Sequence, residues 1–121
     1  RDLANAAMNK AYAPYSNFPV GAAALTTTGE LVSGCNVENA SYGLELCAEC
    51  SLVSERTMKQ AGKLVAFTCV DKNGNLLMPC GRCRQLLFEH SADDMVLETA
   101  SGIKTIAEVL PDAFGPKDLD R

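Results

Sequence analysis

Two short cysteine segments, Cys47-Ala48-Glu49 and Pro79-Cys80-Gly81-Arg82-Cys83, stand some thirty residues apart, and each precedes a stretch with helical spacing. A thiol at a helix N-terminus has its pKa lowered by the helix dipole and the free backbone N–H groups, which favours the thiolate that zinc needs. Cys80 and Cys83 have the two-residue spacing that lets one turn offer both sulfurs to a tetrahedral ion, and Cys47 supplies a third from a separate helix. The chain must therefore fold so that two helix starts converge. Three ligands leave one position for water, whose pKa falls from ~15.7 to about 7 on catalytic zinc. Glu49 can reach that water without being a ligand, as a general acid and base must. Cys50 keeps an alternative open: Cys47-x-x-Cys50 and Cys80-x-x-Cys83 can also be read as a closed, structural zinc site of four cysteines.

The rest of the pattern predicts the frame that would hold these starts. Residues 3–11 are Ala-rich and helix-compatible, and Pro14 disfavours helix just beyond them. Residues 20–27 and 30–37 read as strands around Thr28-Gly29, an antiparallel hairpin. Residues 46–61 have helical spacing with Gly62 as a stop, and residues 64–70 form a continuous apolar run suited to a strand buried on both faces. A turn over 71–75, a helix over 80–90, a polar segment over 91–94, a strand over 95–99 and a short helix over 106–110 complete the reading. Helices alternating with strands imply a layered α/β domain, 1–121, with crossovers making the later strands parallel.

With 121 residues and 47% hydrophobic content the chain can bury one core. A net charge of −4 and no cluster of Lys and Arg argue against a polynucleotide groove. No run approaches the roughly 18 to 20 apolar residues of a membrane span, and the start lacks a signal-peptide pattern, so no membrane partner and a cytoplasmic location are expected. In that compartment the six cysteines are expected as reduced thiols, and the Asn39-Ala40-Ser41 sequon carries no weight.

Over nearly its whole length the chain resembles the small homotetrameric cytidine deaminases. The resemblance rests on Tyr15-Ser16-Asn17-Phe18-Pro19-Val20-Gly21-Ala22-Ala23, Cys35-Asn36-Val37-Glu38-Asn39-Ala40-Ser41-Tyr42-Gly43, Cys47-Ala48-Glu49, Pro79-Cys80-Gly81-Arg82-Cys83-Arg84-Gln85 and Leu110-Pro111-Asp112-Ala113-Phe114, in that order. It implies a three-layer α/β/α fold with a five-stranded mixed sheet, one Zn2+ per subunit, and a tetramer with sites at subunit contacts. It further implies that Phe18 packs against the pyrimidine, that Asn36 and Glu38 hold the ribose 3′-hydroxyl, and that the Ala48 backbone and Met78 carbonyl bind the base edge. Tyr42 and Phe114 would help complete a neighbouring subunit's site. The implied reaction is attack of zinc-held hydroxide at C4 of cytidine or deoxycytidine, with Glu49 shuttling the proton and ammonia leaving, in pyrimidine salvage. A same-fold deaminase of another small substrate is the third reading.

Many members of that family carry Arg directly after the catalytic Glu, where it donates to the zinc thiolates; this chain has Cys50. Three thiolates on Zn2+ leave a net −1 site, so Arg84 and Arg82 are candidates to supply the missing charge. Plainer roles are open elsewhere: Phe18 as core, Asn36 and Glu38 as turn and surface residues, Cys35 and Cys69 as buried small hydrophobes. His90, the one histidine, reads as a helix-end residue that complements the dipole.

Overall fold

A computed structural model describes residues 1–119. In chain order it contains α1 (Asp2–Met8), β1 (Gly21–Thr26), β2 (Leu31–Cys35), a 3-10 turn (Tyr42–Leu44), α2 (Ala48–Met58), β3 (Leu64–Val70), α3 (Gly81–His90), β4 (Ser91–Thr99), β5 (Gly102–Thr105), α4 (Ile106–Val109) and a second 3-10 turn (Pro116–Leu119). The five strands form one sheet in the order β2-β1-β3-β4-β5. β1 is antiparallel to both β2 and β3, β3 and β4 are parallel, and β4 and β5 are antiparallel, so the sheet is mixed.

Alternation along β1 sorts the helices into layers. Ala22 and Ala24 join Leu52 and Val53 of α2, Leu87 of α3 and Ile106 and Val109 of α4 in the main core, together with Phe67, Met95 and Leu97. Ala23, one residue out of phase, packs with Ala4 and Met8 of α1 and with Val70 on the opposite face. α1 thus covers one face and the other three helices cover the second, the expected three layers. Leu52, Leu87 and Leu97 are 0% exposed, and burying each contributes about 1.5–3 kcal/mol.

Two glycines set how closely the helices approach. A Cβ at Gly21 would collide with the Ala4 carbonyl and the Met8 backbone, so α1 lies directly on β1. A Cβ at Gly34 would collide with the Ala48 carbonyl, the Ser51 hydroxyl and the Leu52 amide nitrogen, so the first turn of α2 lies directly on β2. The Ser51 hydroxyl fastens that contact, accepting from the Cys35 N–H at 2.9 Å and reaching the Cys35 carbonyl at 3.1 Å. The start of α2 is held by close backbone packing at Gly34 and by the short Ser51 side chain.

Several boundaries differ from the pattern-based expectation, each for a reason visible in the backbone. The first helix ends at Met8 and not near residue 11, because Tyr12 leaves it to bridge Val37, donating to the Asn36 carbonyl at 3.0 Å. The hairpin turn takes three residues: Thr26 N–H donates to the Glu30 carbonyl at 3.0 Å, and Gly29 sits at φ 83°. β4 begins at Ser91, within the segment read as polar loop, with its pairing interrupted between Leu64 and Ala66. Only β3 and β4 are parallel among the later strands, because β5 returns through a short turn instead of a crossover helix. β5 itself escaped the pattern reading, being four residues long at the sheet edge with Ile103 72% exposed.

Candidate functional site

α2 and α3 begin beside each other, and each begins at a cysteine. Cys47 is the N-cap of α2 with extended backbone (φ −69°, ψ 159°), and Cys80 is the N-cap of α3 with nearly the same geometry (φ −65°, ψ 169°). An extended residue before a helix directs its side chain across the helix mouth, where unpaired N–H groups point outward. Cys83 follows in the first turn of α3 and is 1% exposed. The sulfurs of Cys47, Cys80 and Cys83 all lie within 4.8 Å of one another. Tetrahedral zinc at a Zn–S distance of about 2.3 Å needs sulfurs about 3.8 Å apart, which lies inside that bound. Among the described residues this is the group arranged to hold a metal, and Cys50 is not a member. Three sulfurs converge, and the fourth that a closed shell would need is not among them.

The thiols' titration fits a cation. Burial pushes the Cys47 and Cys83 thiols up. The N–H of Cys83 holds the Cys80 thiol down, with the Arg82 N–H adding to it. A divalent ion supplies the positive charge that lets all three sulfurs bind deprotonated. Neither candidate arginine makes a described hydrogen bond to the sulfurs: Arg84 Nη1 donates to the Val109 carbonyl at 2.9 Å, its buried Nε has no partner among the described residues, and Arg82 is exposed.

Glu49 is 4% exposed, in the first turn of α2 beside the sulfurs. Burial raises its carboxyl, opposed by its own N–H and the Cys83 thiol. A cleft of about 180 Å³ opens onto it, lined by Asn36, Cys47, Ala48, Glu49, Met78, Cys80 and Cys83 among others. Cys69, Leu77 and Val20 also line this cleft, a role sequence reading did not assign them. Cys69 is buried and its thiol is strongly raised by burial, so it serves as an apolar wall. A larger groove of about 580 Å³, lined by Leu25, Leu31 and Ala66, holds none of these groups.

Of the predicted sugar-side residues, Asn36 lines the cleft and Glu38 is not among its lining residues. Asn36 Nδ2 donates to the Phe18 carbonyl at 3.0 Å, and its Oδ1 accepts from the Val20 N–H at 2.9 Å. Glu38 is 7% exposed, and its Oε1 accepts from the N–H groups of Tyr15 and Ser16 at 3.0 and 3.1 Å. The Ser16 hydroxyl donates to Glu38 Oε2. That hydroxyl, and then the two N–H groups, hold the Glu38 carboxyl below its ordinary value against the cost of desolvation. Phe18 is half exposed and does not line the cleft, so it is not core. Tyr42 and Phe114 are 77% and 56% exposed and also stand apart from the cleft. Gln85 Nε2 donates to the Phe114 carbonyl at 2.8 Å, which ties that segment to α3. Sequence motifs contained Ser16 and Gln85 without revealing their partners.

Two further expectations change. Cys35 is partly exposed, not buried, because β2 is an edge strand. His90 ends α3, but burial and the nearby Arg56 lower its pKa. It accepts from Arg56 Nη1 through Nδ1 at 3.1 Å as a neutral ring, so it brings no charge to the helix dipole.

A family model described as the cytidine and deoxycytidylate deaminase zinc-binding region matches residues 1–99. A cytidine deaminase of Mycobacterium tuberculosis is 50% identical over 121 residues, spanning 100% of this chain and 91% of that protein. The crystal structure of cytidine deaminase from Mycobacterium leprae superposes with a TM-score of 0.89 at 55% identity, covering 92% of this chain and 93% of that one. The one from Burkholderia pseudomallei gives 0.82 at 39% identity, covering 93% and 94%. Converging thiols, a buried carboxylate and full-length similarity agree, and the chain belongs to the zinc-binding cytidine and deoxycytidylate deaminase family.

Proposed function

We propose that this chain hydrolyses cytidine and 2′-deoxycytidine to uridine and 2′-deoxyuridine with release of ammonia, acting as a single domain in cytoplasmic pyrimidine salvage. The observation that carries the reading is Glu49, buried beside three convergent sulfurs in a cleft that also contains Asn36. Cys47, Cys80 and Cys83 would hold zinc, which would act as a Lewis acid that makes water nucleophilic near neutral pH. Glu49 takes one proton from the attacking water as the O–C4 bond forms and passes it to N3, then relays the second from the new C4 hydroxyl to the amine as the C4–N bond breaks, leaving the C4 carbonyl and ammonia. Its burial favours a carboxyl that can carry a proton in both directions. The Ala48 backbone and the Met78 carbonyl orient the base edge.

Sugar recognition follows from the hydrogen-bonding capacity left over. A carboxylate offers about two acceptor directions per oxygen. Glu38 Oε1 has both filled by backbone N–H groups and Oε2 has one filled by Ser16, leaving a single acceptor. Asn36 has spent one amide hydrogen on Phe18 and keeps the other. One donor and one acceptor remain, which is what a single hydroxyl requires. A site that reads only the 3′-hydroxyl accepts ribo- and deoxyribonucleosides alike.

The assembly is a homotetramer with sites at subunit contacts. A cleft of about 180 Å³ falls short of the roughly 300–1,000 Å³ of a complete ligand pocket, and Tyr42, Leu44, Leu46 and Phe114 leave large apolar side chains exposed. A neighbour's Tyr42 and Phe114 would close the site.

Turnover of cytidine, deoxycytidine, cytosine, CMP and adenosine tests the substrate class, with activity confined to the two nucleosides of cytosine expected. Glu49→Gln should retain zinc by metal analysis and lose about 10²- to 10⁴-fold in turnover. Deamination near the parent rate in that variant would refute the proton-carrying role.

A further inference from the structure

The Ser16 hydroxyl is the junction between the residues proposed to read the sugar and the one proposed to pack on the base. It donates to Glu38 Oε2, and at 3.0 Å it accepts from the Phe18 N–H. The Phe18 carbonyl in turn accepts from Asn36, so both ends of that residue's backbone are held by this network. Asn17, between them, sits at φ 56°, a left-handed conformation that Asn tolerates better than most residues, and it turns the chain tightly enough for the Ser16 contact.

We propose that Ser16 is a positioning residue for recognition of the nucleoside's 3′-hydroxyl, an inference that rests on the sugar-side reading of Asn36 and Glu38. The two backbone N–H groups fill only Oε1 and leave Oε2 with two open directions. Ser16 occupies one of them. The remaining acceptor then points one way, toward a hydroxyl that Asn36 can also reach. Without the Ser16 hydroxyl, water takes the vacated direction, Oε2 has no fixed orientation, and Phe18 loses the acceptor for its N–H. Ser16 touches no reacting atom. Its effect belongs in substrate affinity: the larger part, through the charged Glu38 carboxylate, falls only on substrates that carry the hydroxyl, and the smaller part, through the Phe18 N–H, falls on both.

The test compares Ser16→Ala and Ser16→Thr with the parent zinc enzyme on cytidine and on 3′-deoxycytidine, with zinc content measured alongside. Hydrogen bonds to charged groups are worth enough that Ser16→Ala should raise KM for cytidine roughly tenfold, with kcat within about twofold. On 3′-deoxycytidine the same substitution should change kcat/KM by less than about threefold, because the contact it supports is already missing. Ser16→Thr, which keeps the hydroxyl, should recover most of the loss. Equal losses on the two nucleosides, or none on cytidine, overturn the proposal. A parent enzyme that does not distinguish the two nucleosides refutes the sugar-side reading itself, and this proposal with it. A parent that distinguishes them, paired with an unselective Ser16→Ala, refutes the role of Ser16 alone. Should Ser16→Ala fail to fold with zinc, Ser16→Cys preserves the shape while weakening the donor. It must show the same selective loss, and an unselective one counts against the proposal.

Discussion

The metal half and the sugar half of the cleft are a few residues apart in space but are built by different means. The metal half uses secondary structure directly. Cys47 and Cys80 occupy equivalent N-cap positions, Cys83 follows one turn later, and α2 is pressed onto β2 at Gly34. Its positions are fixed by where two helices start. The sugar half is a web of side-chain bonds spanning residues 15 to 38, with Glu38 joined to Tyr15 and Ser16 across more than twenty residues of sequence. Phe18 and Tyr42, which stand apart from the cleft, stay exposed. The sulfurs that can hold an ion thus converge within one chain, whereas the residues proposed to meet substrate and neighbour leave their apolar side chains exposed.

The largest expected effect tests whether the metal half is complete with three sulfurs. Cys83→Ser replaces a buried soft ligand with a hydroxyl of poor affinity for zinc. Zinc should be lost on dialysis, and cytidine turnover should fall on the order of 10³-fold or more, the scale of a metal's contribution to transition-state stabilisation. Retention of both zinc and turnover would mean that the metal is held elsewhere.

A smaller effect should come from the backbone that carries the metal half. Gly34→Ala forces a Cβ into the first turn of α2, where the atoms in its way are mostly main chain, and overpacking of this kind costs about 1–3 kcal/mol. Displacing that turn moves Cys47, so zinc affinity should drop together with the thermal midpoint. Gly29→Ala provides the contrast. Its Cβ would meet nothing within 4 Å, and its φ of 83° makes the cost one of local strain, about 1 kcal/mol. That variant should melt earlier with unchanged zinc affinity in a competition titration. Parallel losses of affinity in both variants would dissolve the distinction between a glycine that positions the site and one that only turns the chain.

The same division explains what was legible in the sequence. Helix starts announce themselves through spacing, so the three sulfurs, Glu49 and the four helices could be read directly, and the long apolar run of β3 marked the sheet centre. β5 could not, since four residues at an exposed edge carry no burial alternation. The Ser91 start of β4 was hidden because Asp93 and Asp94 face solvent on a strand whose early pairing is irregular. Asn36 and Glu38 were found only through family resemblance. Their hydrogen-bond partners at Val20, Tyr15 and Ser16 depend on tertiary contact and leave no periodic trace. Arg84 shows the converse limit: its place beside the cysteines suggested a thiolate partner, but the helix turns it to the Val109 carbonyl.

Cys50→Ser should have the smallest effect, and it probes the metal half most finely. Cys50 lies one helical turn beyond Cys47 and is only partly buried, yet its sulfur is not among those that converge. If the ion needs only the other three, serine at position 50 should leave bound zinc and cytidine turnover within about twofold of the parent, as for a substitution outside any special feature. A closed four-sulfur shell gives the opposite outcome, because removing one ligand of four would release the metal. Zinc content decides between the two even where turnover changes modestly through packing against α2. Loss of zinc from this variant would transfer Cys50 into the coordination sphere, deny water its place beside Glu49, and leave a structural metal where the geometry calls for a catalytic one.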